Sequence, residues 1–244
     1  MALLEVQHLE KRFGGIAAVN DCSFSVPYGS ITSLIGPNGA GKTTAFNLIS
    51  GVIRPNAGKV LFNGQDITHL RPSRITRLGI SRTFQITRDL AEMSVLENLV
   101  VQSPVRGVGE LFRSAVAQEE SDRALSLLDF MGIAHLAGLK AKNLSYGQKK
   151  LMELGAVMMS EPKLVLLDEP AGGVNPTLLE TIIDRIFELN RKGITFLIVE
   201  HNMDMVMKVC NPVICMAYGT VLAEGTPDEI QQNEAVLEAY LGVG

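Results

Sequence analysis

Apolar residues follow two rhythms along this chain. In "KLVLLDEP" (163–170) and "ITFLIVEHN" (194–202) they are consecutive and branched, which suits strands buried on both faces of a parallel sheet. In "SDRALSLLDFMGI" (121–133) and "NPTLLETIIDRIFELNRKG" (175–193) they recur at helical spacing. Punctuation sharpens the second pattern. Asn175 caps a helix with Pro176 at its first position, Arg191 and Lys192 lie near its C-terminal end, and Gly193 stops it.

The same reading extends to the rest. "SITSLIGPNGAGKTTAFNLISG" (30–51) reads strand, glycine-rich loop and helix, with Gly51 as the stop. A short strand then meets a hairpin turn at Asn63–Gly64, and "LGISRTFQ" ends a further strand at Gln85. Residues from about 86 to 162 read as mainly helical, with Gly132 closing one helix and Pro162 limiting another. Capping boxes are expected at Ser94/Glu97 and Ser145/Gln148. A Met-rich helix, a hairpin in "VICMAYGTVLAEG" and a helix start at Thr226, Pro227 and Glu229 complete the chain. Strands alternating with helices around a helical insertion predict an α/β fold with right-handed crossovers.

Composition narrows the class. With 244 residues, 46% hydrophobic and 20% charged, the chain is long enough for a sizeable core and too apolar to be disordered. A net charge of −4 without a basic cluster argues against nucleic acid as a partner. Cys22, Cys210 and Cys215 have no zinc-type spacing and read as free thiols in a reducing cytoplasm. The N-terminal apolar run stops at Glu5, unlike a signal peptide, and no run approaches the ~18 residues of a membrane span.

The glycine-rich loop brings in chemistry. "GPNGAGKT" (36–43) matches G-x-x-x-x-G-K-[ST]: glycines let the backbone wrap a phosphate, Lys42 reaches the terminal phosphates, and the Thr43 hydroxyl suits Mg²⁺. Asp168 ends a buried strand on the sheet edge where ligands bind, suited to Mg²⁺ through water, and Glu169 beside it suits an attacking water. His201, also at a strand end, is expected to face the same γ-phosphate. On their own, Gln85 reads equally as a partner of a metal-bound water or a polar loop residue, and Phe13 as an adenine platform or a core aromatic. Asn175 is fully explained as a cap, and Met203, Met205 and Met207 as core filling.

Taken together and in order, "GPNGAGKTT", "TFQ", "LSYGQ", "LVLLDEP" and "VEHN" resemble the ATP-binding subunit of an ABC transporter, over essentially the whole chain. The resemblance implies a P-loop NTPase (RecA-like) core over about 1–85 and 163–244, including an N-terminal antiparallel β subdomain, and a helical signature subdomain over about 86–162, in one domain spanning 1–244. It implies ATP and Mg²⁺ as ligands. Phe13 and Ala18 would sit at adenine, and Gly36, Pro37, Asn38, Gly39, Ala40, Gly41, Lys42, Thr43 and Thr44 around the phosphates. Thr43, Gln85 and Asp168 would serve the metal, Glu169 and His201 hydrolysis with Lys42, and "AGGVN" (171–175) the loop crossing between subunits. Ser145, Gly147 and Gln148 would contact ATP held by the other subunit of a head-to-tail dimer with a sister or self ATPase.

Two departures stand out: Tyr146 replaces the first glycine of the usual Leu-Ser-Gly-Gly-Gln, and Asn175 stands where the crossing loop usually carries aspartate. Within the family, "ISRTFQITRDLAEMSVLENLVV", "DEPAGGVNP" and "AEGTPDEIQQNEAVLEAYLG" are most similar to the branched-chain amino-acid importer type, while amide and urea importers and the lipopolysaccharide-export ATPase share parts of the pattern. That type implies transmembrane permease subunits, an indirect link to a substrate-binding protein, and a peripheral place on the cytoplasmic face of the inner membrane. A non-transport ABC ATPase is disfavoured by the single phosphate loop and the short separation of Lys42 from Ser145, and a degenerate binding module by the intact Lys42, Asp168, Glu169 and His201. No guanine-specificity pattern supports a GTPase.

Overall fold

The computed structural model describes residues 1–83, 90–103 and 114–241. Two sheets form the frame. Strands β1 (Ala2–Phe13) and β2 (Ile16–Pro27) pair antiparallel, and β1 also pairs antiparallel with β4 (Ala57–Phe62), which turns into the two-residue β5 (Gln65–Asp66). That turn has Asn63 and Gly64 both at positive φ, 51° and 75°, the geometry a tight hairpin requires. Where β1 bulges opposite β4, Gly58 lies so near the chain that an added Cβ would sit 2.2 Å from the His8 carbonyl oxygen.

The second sheet is mostly parallel. Strand β3 (Ile31–Ile35) leads through the glycine-rich loop into helix α1 (Lys42–Ile49). Helix α2 (Pro72–Leu78) begins at a proline and ends at Gly79, φ 112°, before β6 (Ile80–Arg82). The sequence reading carried this strand to Gln85, but β6 ends at Arg82, with one further ladder bond from Thr83 N–H to the Leu166 carbonyl; Gln85 lies outside the described residues.

Helices α3 (Val95–Val100), α4 (Ser114–Phe130) and α5 (Tyr146–Met158) follow, and every regular element described from 90 to 162 is helical. Both expected capping boxes form there: Glu97 N–H donates to Ser94 Oγ at 3.2 Å, and Gln148 N–H to Ser145 Oγ at 3.3 Å, with reciprocal bonds back to the Ser94 and Ser145 amides. Strand β7 (Leu164–Asp168), α6 (Pro176–Arg191), β8 (Thr195–Val199), α7 (Met203–Val209), β9 (Val213–Ala217), β10 (Thr220–Gly225), α8 (Pro227–Gln231) and α9 (Glu234–Leu241) complete the order. Spatially the sheet runs β10-β9-β3-β8-β7-β6, parallel except for β10.

Every residue of β3, β7, β8 and β9 is buried. Leu164, Leu166, Leu197 and Val199 point into a core shared with the antiparallel sheet, Phe46 and Ile49. Their neighbours Val165, Leu167, Phe196 and Ile198 point into a second core with Ile182, Ile183 and Ile186 of α6, continuous with Leu151 and Leu154 of α5. The alternation of strand side chains therefore divides one apolar run between two cores. Phe196, the second residue of β8, is fully buried. Phe196→Ala is expected to cost about 3–5 kcal/mol in chemical denaturation; a loss below about 1 kcal/mol would mean that the site collapses around the missing ring.

Candidate functional site

The candidate site lies at the C-terminal ends of β3, β7 and β8. The loop after β3 needs its glycines for space as well as conformation. Gly36 has φ 146° and an added Cβ would lie 2.0 Å from the Met216 carbonyl oxygen; Gly41 has φ 101° and would meet the Ala18 carbonyl oxygen at 2.3 Å. Gly41 is also the N-cap of α1 and supplies no side-chain cap, so the first amides of α1 keep their capacity for an anion. The Lys42 ammonium folds back on the loop, donating to the Gly36 carbonyl at 2.7 Å and the Pro37 carbonyl at 3.0 Å. Burial pushes its pKa down, opposed by the charges of Glu169, Cys215 and Asp168.

An open cleft of about 390 Å³ lies over this loop, lined by Ala18, residues 38–44, Glu169 and His201. Glu169 sits at φ 49°, unusual for a residue with a Cβ. Its N–H donates to the Val199 carbonyl at 2.9 Å, and its carboxylate Oε1 lies 3.2 Å from His201 Nε2. The histidine is placed by its neighbour Glu200, which is buried and accepts three backbone N–H groups: from Ala171 at 2.6 Å, His201 at 2.7 Å and Asn202 at 2.9 Å. One carboxylate thus ties the loop after β7 to the loop after β8. Sequence reasoning gave Glu200 no role; the available signal was an acid directly after the apolar run Phe196–Val199.

Asp168 is 2% exposed. Its Oδ2 pairs with Arg82 Nη2 at 3.0 Å, while Arg82 Nη1 donates to Asn47 Oδ1 at 2.7 Å and the guanidinium packs on the Phe46 ring. The Asp168 Oδ1 atom is buried without a hydrogen-bond partner among the described residues. An unpaired buried carboxylate oxygen beside a phosphate loop is what a hard divalent cation, or water bound to it, would satisfy. The donor set of Asp168 and the Thr43 hydroxyl therefore fits Mg²⁺. The Arg82 partnership was not foreseen.

Other expected site residues stand apart. Phe13 is half-exposed at the end of β1, with the Lys11 ammonium 5.3 Å from its ring centre, and does not line the cleft. Ser145, Gly147 and Gln148 lie at the start of α5, also outside the cleft. Ser145 and Gln148 are on the surface, whereas Gly147 is buried. A Cβ on Gly147 would lie 1.8 Å from Leu178 Cδ2 in the first turn of α6. The glycine thus has a packing requirement within its own chain.

An ABC transporter family model matches residues 19–172, and a branched-chain amino acid ATP-binding cassette transporter model matches 220–244. The chain is 45% identical to the probable branched-chain amino acid transport ATP-binding protein LivG of Archaeoglobus fulgidus, covering 99% of this chain and 96% of that one. It is 40% identical to the high-affinity branched-chain amino acid transport ATP-binding protein LivG of Escherichia coli, over 98% of each. A crystal structure of the ADP conformation of an ATP-binding cassette of an ABC transporter superposes with a TM-score of 0.89, at 37% identity and 99% coverage of both chains.

The close approach at Gly147 gives a direct test. Gly147→Ala is expected to lower stability by about 1–3 kcal/mol in denaturant titration. Combined with Leu178→Ala, the loss should be smaller than the sum by at least about 0.5 kcal/mol. Strictly additive losses would show that Leu178 moves aside freely.

Proposed function

The chain belongs to the ABC transporter ATPase family, and from that premise we propose that it hydrolyses ATP as one half of a head-to-tail pair of ATPase subunits, driving an importer for branched-chain amino acids. The observation that carries the pairing is the separation of two half-sites. The phosphate loop, Glu169 and His201 share one cleft, while the capped start of α5, with Ser145, Gly147 and Gln148, lies outside it. A helix start at the surface suits an anion, and the phosphate loop of its own chain lies in a different cleft. A second subunit, a sister or a copy, supplies the phosphate. The substrate class rests on the names of the relatives and on the match over 220–244. No described helix is long and apolar enough to cross a membrane, so permease subunits carry the solute, with a substrate-binding protein delivering it. The chain works peripherally at the cytoplasmic face of the inner membrane. In this reading residues of about 86–162 form the signature-bearing part and the remainder of 1–244 the nucleotide-binding core.

ATP enters with its adenine toward Ala18 and Phe13. Its phosphates take the loop amides of 36–44 and the start of α1, and Lys42 exchanges two carbonyls for phosphate oxygens. Thr43 and Asp168 would hold Mg²⁺, with Gln85 as a further candidate partner, and the ion would supply charge neutralisation at the phosphates. Glu169 orients a water and takes its proton as the oxygen attacks the γ-phosphorus and the bond to ADP breaks. His201, fixed by Glu200 and bonded to Glu169, holds the γ-phosphate in line. ATP binds the closed pair more tightly than the open one, because only closure brings the partner's signature helix to the γ-phosphate. Hydrolysis removes that difference and the pair reopens, and this alternation is what the permease uses.

Glu169→Gln should keep ATP binding, lower hydrolysis by about 100-fold or more, and accumulate an ATP-dependent dimer in sedimentation; undiminished hydrolysis would remove Glu169 from its role. A mixture of Lys42→Ala and Ser145→Arg chains, where the chain pairs with itself, should regain ATPase activity above either alone by assembling one intact composite site. Activity no higher than that of the better single variant would argue against shared sites.

A further inference from the structure

We propose that Tyr146 is a positioning residue that fastens the start of the signature helix to the loop carrying this chain's own Glu169, so that engagement of the partner's nucleotide is felt at this chain's carboxylate. The inference rests on the head-to-tail reading above. Tyr146 is the first residue of α5 and is 48% exposed, yet one edge of its ring is spoken for. It packs on Gly173, which lies in the turn after Glu169 at φ 68°; a Cβ there would sit 3.1 Å from Tyr146 Cε1. One turn along α5, the Lys150 ammonium lies 5.6 Å from the ring centre and donates to the Glu169 carbonyl at 3.2 Å.

These contacts grip backbone rather than the reacting carboxylate. Glu169 holds a left-handed φ of 49°, a conformation that persists only when its surroundings fix it. On one side its N–H is held by Val199. On the other its carbonyl accepts from Gly172 N–H at 3.1 Å and from Lys150. A lysine on a flexible stem keeps such a bond best when something covers it, and the Tyr146 ring does so. The neighbouring Ser145 is the residue offered to the partner's nucleotide. A shift of this helix start on closure therefore moves the ring, the Gly173 turn and the Lys150 bond together. The glycine usual in this position has no side chain to make either contact.

The test uses the assembled transporter with this chain's full sequence. Tyr146→Gly and Tyr146→Leu should each lower kcat for ATP about fivefold or more with KM changed less than about twofold, and bring the Hill coefficient toward one. Tyr146→Phe should restore both, since the ring and not the hydroxyl makes the contacts; Tyr146→Leu keeps helix propensity and is read if the glycine variant melts early. In a Glu169→Gln background all three should still close with ATP. Non-aromatic variants that keep kcat and cooperativity within about twofold of the parent, or a phenylalanine variant as impaired as the glycine one, would overturn the role of Tyr146. Failure of Glu169→Gln itself to close with ATP would overturn the head-to-tail reading instead, and this inference with it.

Discussion

A sheet buried on both faces leaves its chemistry only one place to go. The apolar side chains of β3, β7, β8 and β9 are divided between two cores; the small hydroxyls among them, Thr32, Ser33 and Thr195, bond to main chain or to another hydroxyl, but a charged group there would need a partner that neither core offers. The strand ends are different. There the ladder stops, the chain turns, and buried carboxylates find backbone amides. Asp168, Glu169, Glu200 and His201 all occupy such ends, and the phosphate loop leaves the end of β3, the strand next to β8. The geometry of the cleft is thus a by-product of the burial of the sheet.

Within that frame, precision comes from a few hydrogen bonds across chain segments. Glu200 gathers three amides and so sets the distance between the Glu169 and His201 loops. Arg82 restrains one oxygen of Asp168, and among the described residues the other has no hydrogen-bond partner. Lys150 reaches from α5 to the Glu169 carbonyl. Each of these charges is buried or half-buried, where an unmade bond costs more than in water, and that asymmetry makes such links rigid.

The start of α5 joins local and long-range demands in four residues, 145 to 148. Ser145 and Gln148 close a capping box, a local device worth about 1 kcal/mol to the helix. Gly147 and Tyr146 answer to α6 and to the turn after β7. A helix start so held presents its amides in a fixed direction, which is the property a nucleotide on a second subunit would require. In the proposed pair the cap and the binding surface would be the same atoms used twice.

Much was legible in sequence because it depends on neighbours in the chain. The buried strands, the glycine stops, the capping boxes, the turn at Asn63–Gly64 and the hairpin within 213–225 follow from periodicity and local backbone preference, and the structure has them. The glycine-rich loop is legible for the same reason: what it offers is mostly backbone, and its glycines, Gly36, Gly39 and Gly41, fall within six residues. Helix α2 was passed over although Pro72 and Gly79 mark its ends, because its seven residues hold a single buried side chain, Ile75. What sequence could not supply were partners far apart in the chain. Arg82 meets Asp168 across 86 positions, Gly147 meets Leu178, Tyr146 meets Gly173, and Glu200 bonds back to Ala171. No periodicity encodes such pairs; they arise when strand order brings distant ends to one edge. The sequence by itself determined most of the elements and which residues are candidates for phosphate chemistry. Only the tertiary structure decided which charges pair, because pairing depends on distance in space, and the order of strands in the sheet sets that distance.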